Sequence, residues 1–232
     1  IPAYNEEKRL SKTLFEIDKY LRNQTYEYEI IVVSDGSKDK TAEVANGLSS
    51  QIKNLKVIDN KQNQGKGFVA RQGMLEAKGK YRVFTDADNS TSIDQFEKML
   101  PQFEKGYDIV IGSRDVKGAV LNPAQPLFRV ILGNIFNLYT QVAIGLWGIW
   151  DSQCGFKGMT AESAAAVLPR CKINRFAFDP EILKVGRKMG YKIKEVPVIW
   201  VNDLASTVGL KSMLKMAIDL LKIRWNLIAR KY

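Results

Sequence analysis

Asp86 and Asp88 stand two residues apart in "VFTDADNST" (83–91), one threonine after the apolar pair Val83 and Phe84. On an extended backbone, residues of like parity point to one side, so the two carboxylates would share a small volume. Like charges held together repel unless a cation lies between them. Two readings follow: a divalent-cation site, or a solvated turn that happens to repeat an aspartate. The chain contains no histidine, and its two cysteines, Cys154 and Cys171, lack Cys-x-x-Cys spacing. That excludes Ser-His-Asp and Cys-His catalysis and histidine-held zinc, and leaves hard oxygen donors suited to Mg2+ or Mn2+. The cysteines read as reduced thiols, with a single disulfide as the alternative.

The elements around the pair decide what it can be. Residues 6–23 carry Leu10, Leu14, Ile17 and Leu21, a helical stripe. "YEIIVVSDGS" (28–37) is a β-branched run broken by Asp-Gly, hence a buried strand ending in a turn. Asp39 is placed to cap a helix running to Leu48. Strands are expected at "LKVIDN", "YRVFT" and "YDIVIGS", with helices over 66–77 and 93–104 between them. Repeated βα units imply a mainly parallel, doubly wound sheet. Ligands bind such sheets at the carboxyl ends of the strands. "SDGS", "TDADNS" and "GSRD" all fall there, so three polar clusters converge on one edge.

"GKGFVA" (65–70) fits G-x-G-x-x-A, but it follows the third strand rather than the first. A tight glycine turn at a helix N-terminus is the simpler account, with Lys66 as a phosphate or sugar contact the further option. The formal charge of +10 over 232 residues calls for anionic partners: nucleotide phosphates, an acidic membrane surface or nucleic acid. The basic residues are scattered through the first half and cluster only near the C-terminus, which argues against a dedicated nucleic-acid face. A non-enzymatic basic module is the alternative of another class.

Six motifs occur in order: "IPAYNEE", "VVSDGSKDKT", "NQGKGFVARQG", "TDADNST", "IGSRD" and "WDSQCGFKGMT". Together they resemble the inverting family 2 glycosyltransferases of the α/β GT-A fold. "FAFDPEIL" and "VPVIWVND" are more similar to the dolichyl- and polyprenyl-phosphate glucosyltransferases than to the mannosyltransferase branch. The resemblance implies transfer of glucose from UDP-glucose to a polyprenyl or dolichyl phosphate; a mannosyl or other hexosyl donor is the alternative within the class. It implies a nucleotide pocket from Pro2, Tyr4, Glu6, Val33 and Asp35, with Asp35 accepting from the uracil imide. It implies that Asp86, Ala87 and Asp88 form the Asp-x-Asp element, with Asp86 and Asp88 holding the metal. Lys66 and Arg114 would face the phosphates, and Asp151 the acceptor, a turn-capping role being the alternative for Asp151. Residues 1–115 would form the nucleotide-sugar half and 116–232 the acceptor half of a single catalytic domain. Two departures stand out: Ser90 replaces a further metal-ligating glutamine, and Thr207 follows Ser206 where a lysine is usual, leaving Lys211 as a substitute cation.

Residues 130–150 contain no charged residue and are long enough to span a bilayer. Asn134, Asn137 and Gln141 form a polar stripe, which suits an interfacial helix better, or a core helix with paired amides. From Leu210 the tail carries Leu214, Ala217, Leu221 and Trp225 on one face, with Lys211, Lys215 and Lys222 off it. A basic amphipathic helix of this kind fits an anionic membrane surface or caps a core. The expected location is the cytoplasmic face of a membrane, held peripherally or by a segment preceding Ile1, which reads as the end of a strand.

Overall fold

The computed structural model describes residues 1–124, 127–201 and 210–232. Strand β1 (Pro2–Ala3) leads to helix α1 (Leu10–Leu21), then β2 (Ile30–Asp35), α2 (Thr41–Gly47), β3 (Leu55–Asn60), α3 (Lys66–Glu76) and β4 (Tyr81–Thr85). A short 3-10 turn runs into α4 (Phe96–Glu104), followed by β5 (Ile109–Ser113), β6 (Val120–Asn122) and α5 (Leu127–Ile144). The chain ends with β7 (Phe156–Thr160), α6 (Ala161–Val167), α7 (Phe178–Lys188), β8 (Ile193–Pro197), β9 (Ile199–Val201) and α8 (Leu210–Ile228). The helical stripe of α1 is buried as its spacing requires, with Leu10 and Leu14 fully so. Asp39 accepts the Thr41 N–H at 3.0 Å, serving the first turn of α2 from just outside it.

β1, β2 and β3 pair in parallel, in the spatial order β1-β2-β3. The second sheet departs from the expected parallel pattern. Its order is β4-β7-β5-β8, and β7 runs antiparallel to both β4 and β5. Simple βα units give parallel neighbours because a helix returns the chain to the starting edge. After β5 the chain instead passes through β6 and α5 and re-enters beside the carboxyl ends, Phe156 pairing with Thr85. The stretch leading into β7 therefore lies across the strand ends where the polar motifs converge. α3 packs against β1, β2 and β4, tying the two sheets together.

Burial pushes the Cys154 thiol up to about 12 and that of Cys171 well above its ordinary value. Both are free in the structure. A thiol reagent at pH 8 is expected to label neither in the native protein and both after unfolding, because the thiolate is the reactive form; prompt native labelling would contradict this packing.

Helices α5 and α8 lie against each other, the Tyr139 hydroxyl donating to the Ala217 carbonyl at 3.3 Å. Their orientation bears on the alternatives left open for both helices. The amide stripe of α5 does not face a polar solvent as a whole: Gln141 is buried, and Asn137 Nδ2 donates to Asp115 at 3.0 Å. Asn134 stays exposed, among the apolar side chains Phe128, Ile131, Ile135, Leu138 and Val142 that make up most of the outer face of α5. On α8 the face carrying Leu214, Leu221 and Trp225 points outward, joined by Ile218 and Ile228, while Met216, Leu220 and Ile223 fill the core. Trp147 and Trp150, after α5, are exposed too. Among the described residues no helix is long and apolar enough to cross a membrane.

Candidate active site

Asp86 and Asp88 are brought together by a turn rather than by strand parity. β4 stops at Thr85, Asn89 takes a left-handed φ of 54°, and its N–H reaches the Asp86 carbonyl at 3.2 Å. Thr13 Oγ1 donates to the Ala87 carbonyl at 2.7 Å, pinning the turn to α1. Asp88 Oδ1 accepts the Ser90 N–H at 2.9 Å. Lys66, at the first position of α3, places its ammonium 2.7 Å from Asp86 Oδ1. Burial would lower the Lys66 pKa, but Asp86, Asp179 and Asp88 around it hold it above the ordinary value. The repulsion implied by the sequence thus has a fixed cation beside it.

Gly155 completes the cradle. A Cβ at this position would fall 2.1 Å from Asp86 Oδ2 and 2.6 Å from its Cγ. The start of β7 therefore passes so close that only glycine admits the Asp86 carboxylate where it stands.

Asp35 ends β2 and is almost wholly buried. Its Oδ1 accepts the Gln64 N–H at 2.7 Å, and its Oδ2 accepts the Gly65 N–H at 2.9 Å and Asn63 Nδ2 at 3.0 Å. Asp35 thus holds the loop before α3, and an internal carboxylate already takes the amides that a dinucleotide phosphate would need. Gly65, at φ 106°, approaches the Asn174 carbonyl, and Gly67 packs on Phe178. These contacts bear out the tight-turn account of "GKGFVA". Asp35→Asn puts an amide donor among these donors, so UDP binding is expected to weaken by roughly 1–3 kcal/mol. Unchanged affinity by calorimetry would remove Asp35 from the nucleotide pocket.

Arg114 follows β5 and is gripped by Asp151. Its Nε and backbone N–H meet Asp151 Oδ2 at 2.7 and 2.9 Å, and Nη2 meets Oδ1 at 2.8 Å. The Trp200 ring lies 4.8 Å from the guanidinium carbon. Asp151 itself receives no solvent exposure. Burial would raise its pKa, yet Arg114 and its hydrogen bonds hold the carboxyl below the usual range. It is an ionised anchor that aims Arg114, and it offers no open oxygen pair to an acceptor.

Asp35, Lys66, Asp86, Asp88 and Arg114 line one cleft of about 740 Å3, whereas Asp151 and Gly155 are not among its lining residues. Pro2, Tyr4, Glu6 and Asp35 lie along it with Lys66, Asp86, Ala87, Asp88 and Arg114, as the motifs imply. Val33 does not: it is 1% exposed and packs with Ile31 and Val69 beneath α3, because its strand position turns it into the apolar layer. Ser206 and Thr207 lie outside the described residues, as does the Lys211 side chain. Two residues went unassigned by sequence reasoning. Asp179, in the first turn of α7, lines the cleft, and Lys157 on β7 meets its Oδ1 at 2.7 Å. A lysine inside an apolar strand and an Asp-Pro helix start were the available signals. A separate groove between β2 and β4 is lined mainly by apolar side chains, and none of the motif carboxylates faces it.

Among the described residues no three histidine, cysteine or acidic side chains gather as a ready-made metal cage. Two carboxylates, one seated against Gly155, nevertheless fit a hard cation whose other ligands are phosphate oxygens and water.

The family model for glycosyl transferase family 2 matches residues 1–168. The chain belongs to glycosyl transferase family 2. It is therefore a glycosyltransferase, and the basic-module alternative falls away. It is 37% identical over 234 residues to a dolichyl-phosphate beta-glucosyltransferase of Trichomonas vaginalis, covering 96% of this chain and 69% of that one. The corresponding proteins of Dictyostelium discoideum and Homo sapiens are 36% and 34% identical, each over 97% of this chain and 73% of theirs. Mannosyl-3-phosphoglycerate synthase from Rubrobacter xylanophilus superposes with a TM-score of 0.69 at 17% identity, over 99% of this chain and 72% of that one. Glucosyl-3-phosphoglycerate synthase from Mycobacterium tuberculosis, in complex with Mn2+ and UDP-glucose, gives 0.68 at 17% identity, over 96% and 76%. These structures establish the GT-A fold expected from the motifs.

Proposed function

We propose that this family 2 enzyme transfers glucose from UDP-glucose to a dolichyl or polyprenyl phosphate at a membrane surface, with Mg2+ or Mn2+. The observation that carries the reading is the mixed lining of a single cleft. Asp35, Asn63 and Tyr4 line it together with the charged set Asp86, Asp88, Lys66 and Arg114 and with the apolar side chains Leu132 and Phe136 of α5 and Met213 and Met216 of α8. A nucleotide, a diphosphate and an isoprenoid chain need those three kinds of surroundings in one place. Residues 1–115 supply most of the groups for the donor, and α5 and α8 the apolar surface for the acceptor. The relatives' names and the Mn2+ and UDP-glucose of a distant fold neighbour support the same assignment.

Chemistry at the charged set is electrostatic. A leaving diphosphate gains negative charge, and the fixed guanidinium of Arg114 and ammonium of Lys66 stabilise it. Asp86 and Asp88 would hold a divalent cation, which acts as a Lewis acid on phosphate oxygens when bound. A lipid monophosphate, with its second pKa of about 6, is already a nucleophile at neutral pH. No side chain need deprotonate it. Asp88→Asn is expected to abolish transfer and the metal dependence of UDP binding, because an amide lacks the charge a hard cation requires. Transfer of labelled glucose to dolichyl phosphate, compared across UDP- and GDP-sugars, tests the reading; activity with GDP-mannose alone would favour the mannosyl alternative.

The outward stripes of α5 and α8 supply the membrane contact, with Lys215 and Lys222 beside them. Each lysine near an acidic surface adds about 1 kcal/mol, screened by salt. Flotation with acidic liposomes is expected to weaken in high salt without vanishing, since the apolar part persists. Replacing Ile135, Leu138 and Trp225 by serine is expected to abolish flotation with UDP affinity unchanged. No flotation of the wild-type protein would contradict the surface reading.

A further inference from the structure

Asp179 combines features that a purely structural ion pair does not need. It lies in the first turn of α7, where the helix N-terminus favours a carboxylate. Its side chain is only 7% exposed, yet it lines the cleft. One oxygen, Oδ1, is fixed by Lys157 Nζ at 2.7 Å. Lys157 is itself immobilised: it is buried on β7, donates to the Cys154 carbonyl at 2.5 Å, and sits 5.6 Å from the Phe84 ring centroid. The other oxygen, Oδ2, takes no hydrogen bond from the described residues and is not sealed from solvent. A carboxylate anchored on one side and open on the other is a rigid acceptor aimed into the cleft.

Position supplies the ligand class. Asp179 is close enough to Lys66 and Asp86 for both charges to act on it: burial raises its pKa first, Lys157 and Lys66 lower it, and Asp86 raises it again. It lines the same cleft as Lys66, Asp86, Asp88 and Arg114, the groups assigned to the diphosphate, so a sugar attached to that diphosphate passes within its reach. A metal-ligand role fits less well, because Lys157 holds Oδ1 and Asp179 forms no cage with Asp86 and Asp88. As a stability device the pair would be poor, since burying two charges commonly costs about as much as their attraction returns.

We propose that Asp179, held by Lys157, accepts a hydrogen bond from a hydroxyl of the donor hexose and so fixes the sugar above the diphosphate. The inference rests on the donor reading given above. It assigns a specificity contact to the sugar, where Asp86, Asp88, Lys66 and Arg114 serve the diphosphate.

The test uses the wild-type chain first. Transfer is measured from UDP-glucose and from a series of UDP-deoxyglucoses, each lacking one hydroxyl. One member of the series is expected to lose roughly 10- to 100-fold in kcat/KM, the worth of one hydrogen bond to a charged group. Asp179→Asn keeps the shape and is expected to lose a similar factor with UDP-glucose, while binding of UDP with Mn2+ stays within about twofold. With the sensitive deoxy donor the same variant is expected to lose little more, because the two changes remove one interaction. A deoxy series with no sensitive member would overturn the proposal. So would additive losses in the variant, or loss of UDP binding along with transfer, which would mark Asp179 as structural. Failure of the wild-type chain to bind UDP at all would instead overturn the donor reading, and this inference with it.

Discussion

Gly155→Ala is expected to cut turnover at least about 100-fold while leaving the protein nearly as stable, because a displacement of about 1 Å at a reacting centre costs that much. The added Cβ would collide with the Asp86 carboxylate, 2.1 Å away, and with nothing else within 3.0 Å. Gly155 is not among the residues with positive φ, so alanine is permitted by its backbone. The colliding atoms are the end of a side chain that can rotate. Stability should therefore fall by less than about 1 kcal/mol, or about 2–4 °C in Tm. The rotated carboxylate leaves Lys66 and its neighbour Asp88, and metal-dependent UDP affinity falls with it. If the clash acts only through Asp86, adding Gly155→Ala to Asp86→Ala should change nothing further, a non-additivity diagnostic of one shared interaction. Normal turnover by Gly155→Ala, or a loss that adds to that of Asp86→Ala, would refute the cradle. Melting curves, transfer rates and calorimetry with Mn2+ and UDP measure all three parts.

The sequence made the donor side of this site legible and left much of the rest hidden. The strands before Asp35, Asp86 and Arg114 are short β-branched or apolar runs with turn residues at their ends, so period and punctuation place their carboxyl ends together. β7 carries no such signal: "FKGMT" has a lysine and a glycine where an apolar run is expected. The reason is structural. Lys157 neutralises Asp179, and Gly158 accommodates the Phe103 ring, 2.9 Å from where its Cβ would be. Demands made by residues far along the chain overrode local pattern. The same holds for Val33, whose motif position suggested the nucleotide pocket although its strand parity turns it under α3. On α5 the amides were visible, but only packing decides which face is covered. With Gln141 buried and Asn137 bound to Asp115, Asn134 alone of the three amides stays exposed, and the outer face is mainly apolar.

Asp151→Asn is expected to lower kcat by about 100-fold or more while keeping the acid limb of the pH–rate profile in place. The first part follows from what Asp151 holds. Its carboxylate accepts three hydrogen bonds from Arg114, and an amide would present a donor to at least one of them. Arg114 would then swing from the position fixed by the Trp200 ring, and its charge would no longer face the leaving diphosphate. Breaking a buried pair by removing one partner costs about 3–5 kcal/mol; the 24% exposure of the Arg114 side chain points to the lower end. The pH dependence separates an anchor from a base. A folded pKa depressed by Arg114 means that Asp151 stabilises the fold fully above its unfolded value of about 3.9. That stabilisation is lost only as pH falls through the lower folded value. The Tm gap between wild type and variant should therefore stay constant from pH 5 to 8 and close below about pH 4. Activity near neutrality must lose its acid limb elsewhere, and the acceptor phosphate, with a second pKa of about 6, supplies it. The limb should persist in Asp151→Asn at the same midpoint, on a lower plateau. A flat profile in the variant would make Asp151 the proton acceptor after all, and the Arg114 contact incidental. Arg114→Lys distinguishes the two once more: it keeps the charge but not the paired geometry, so an anchor role predicts a loss comparable to that of Asp151→Asn.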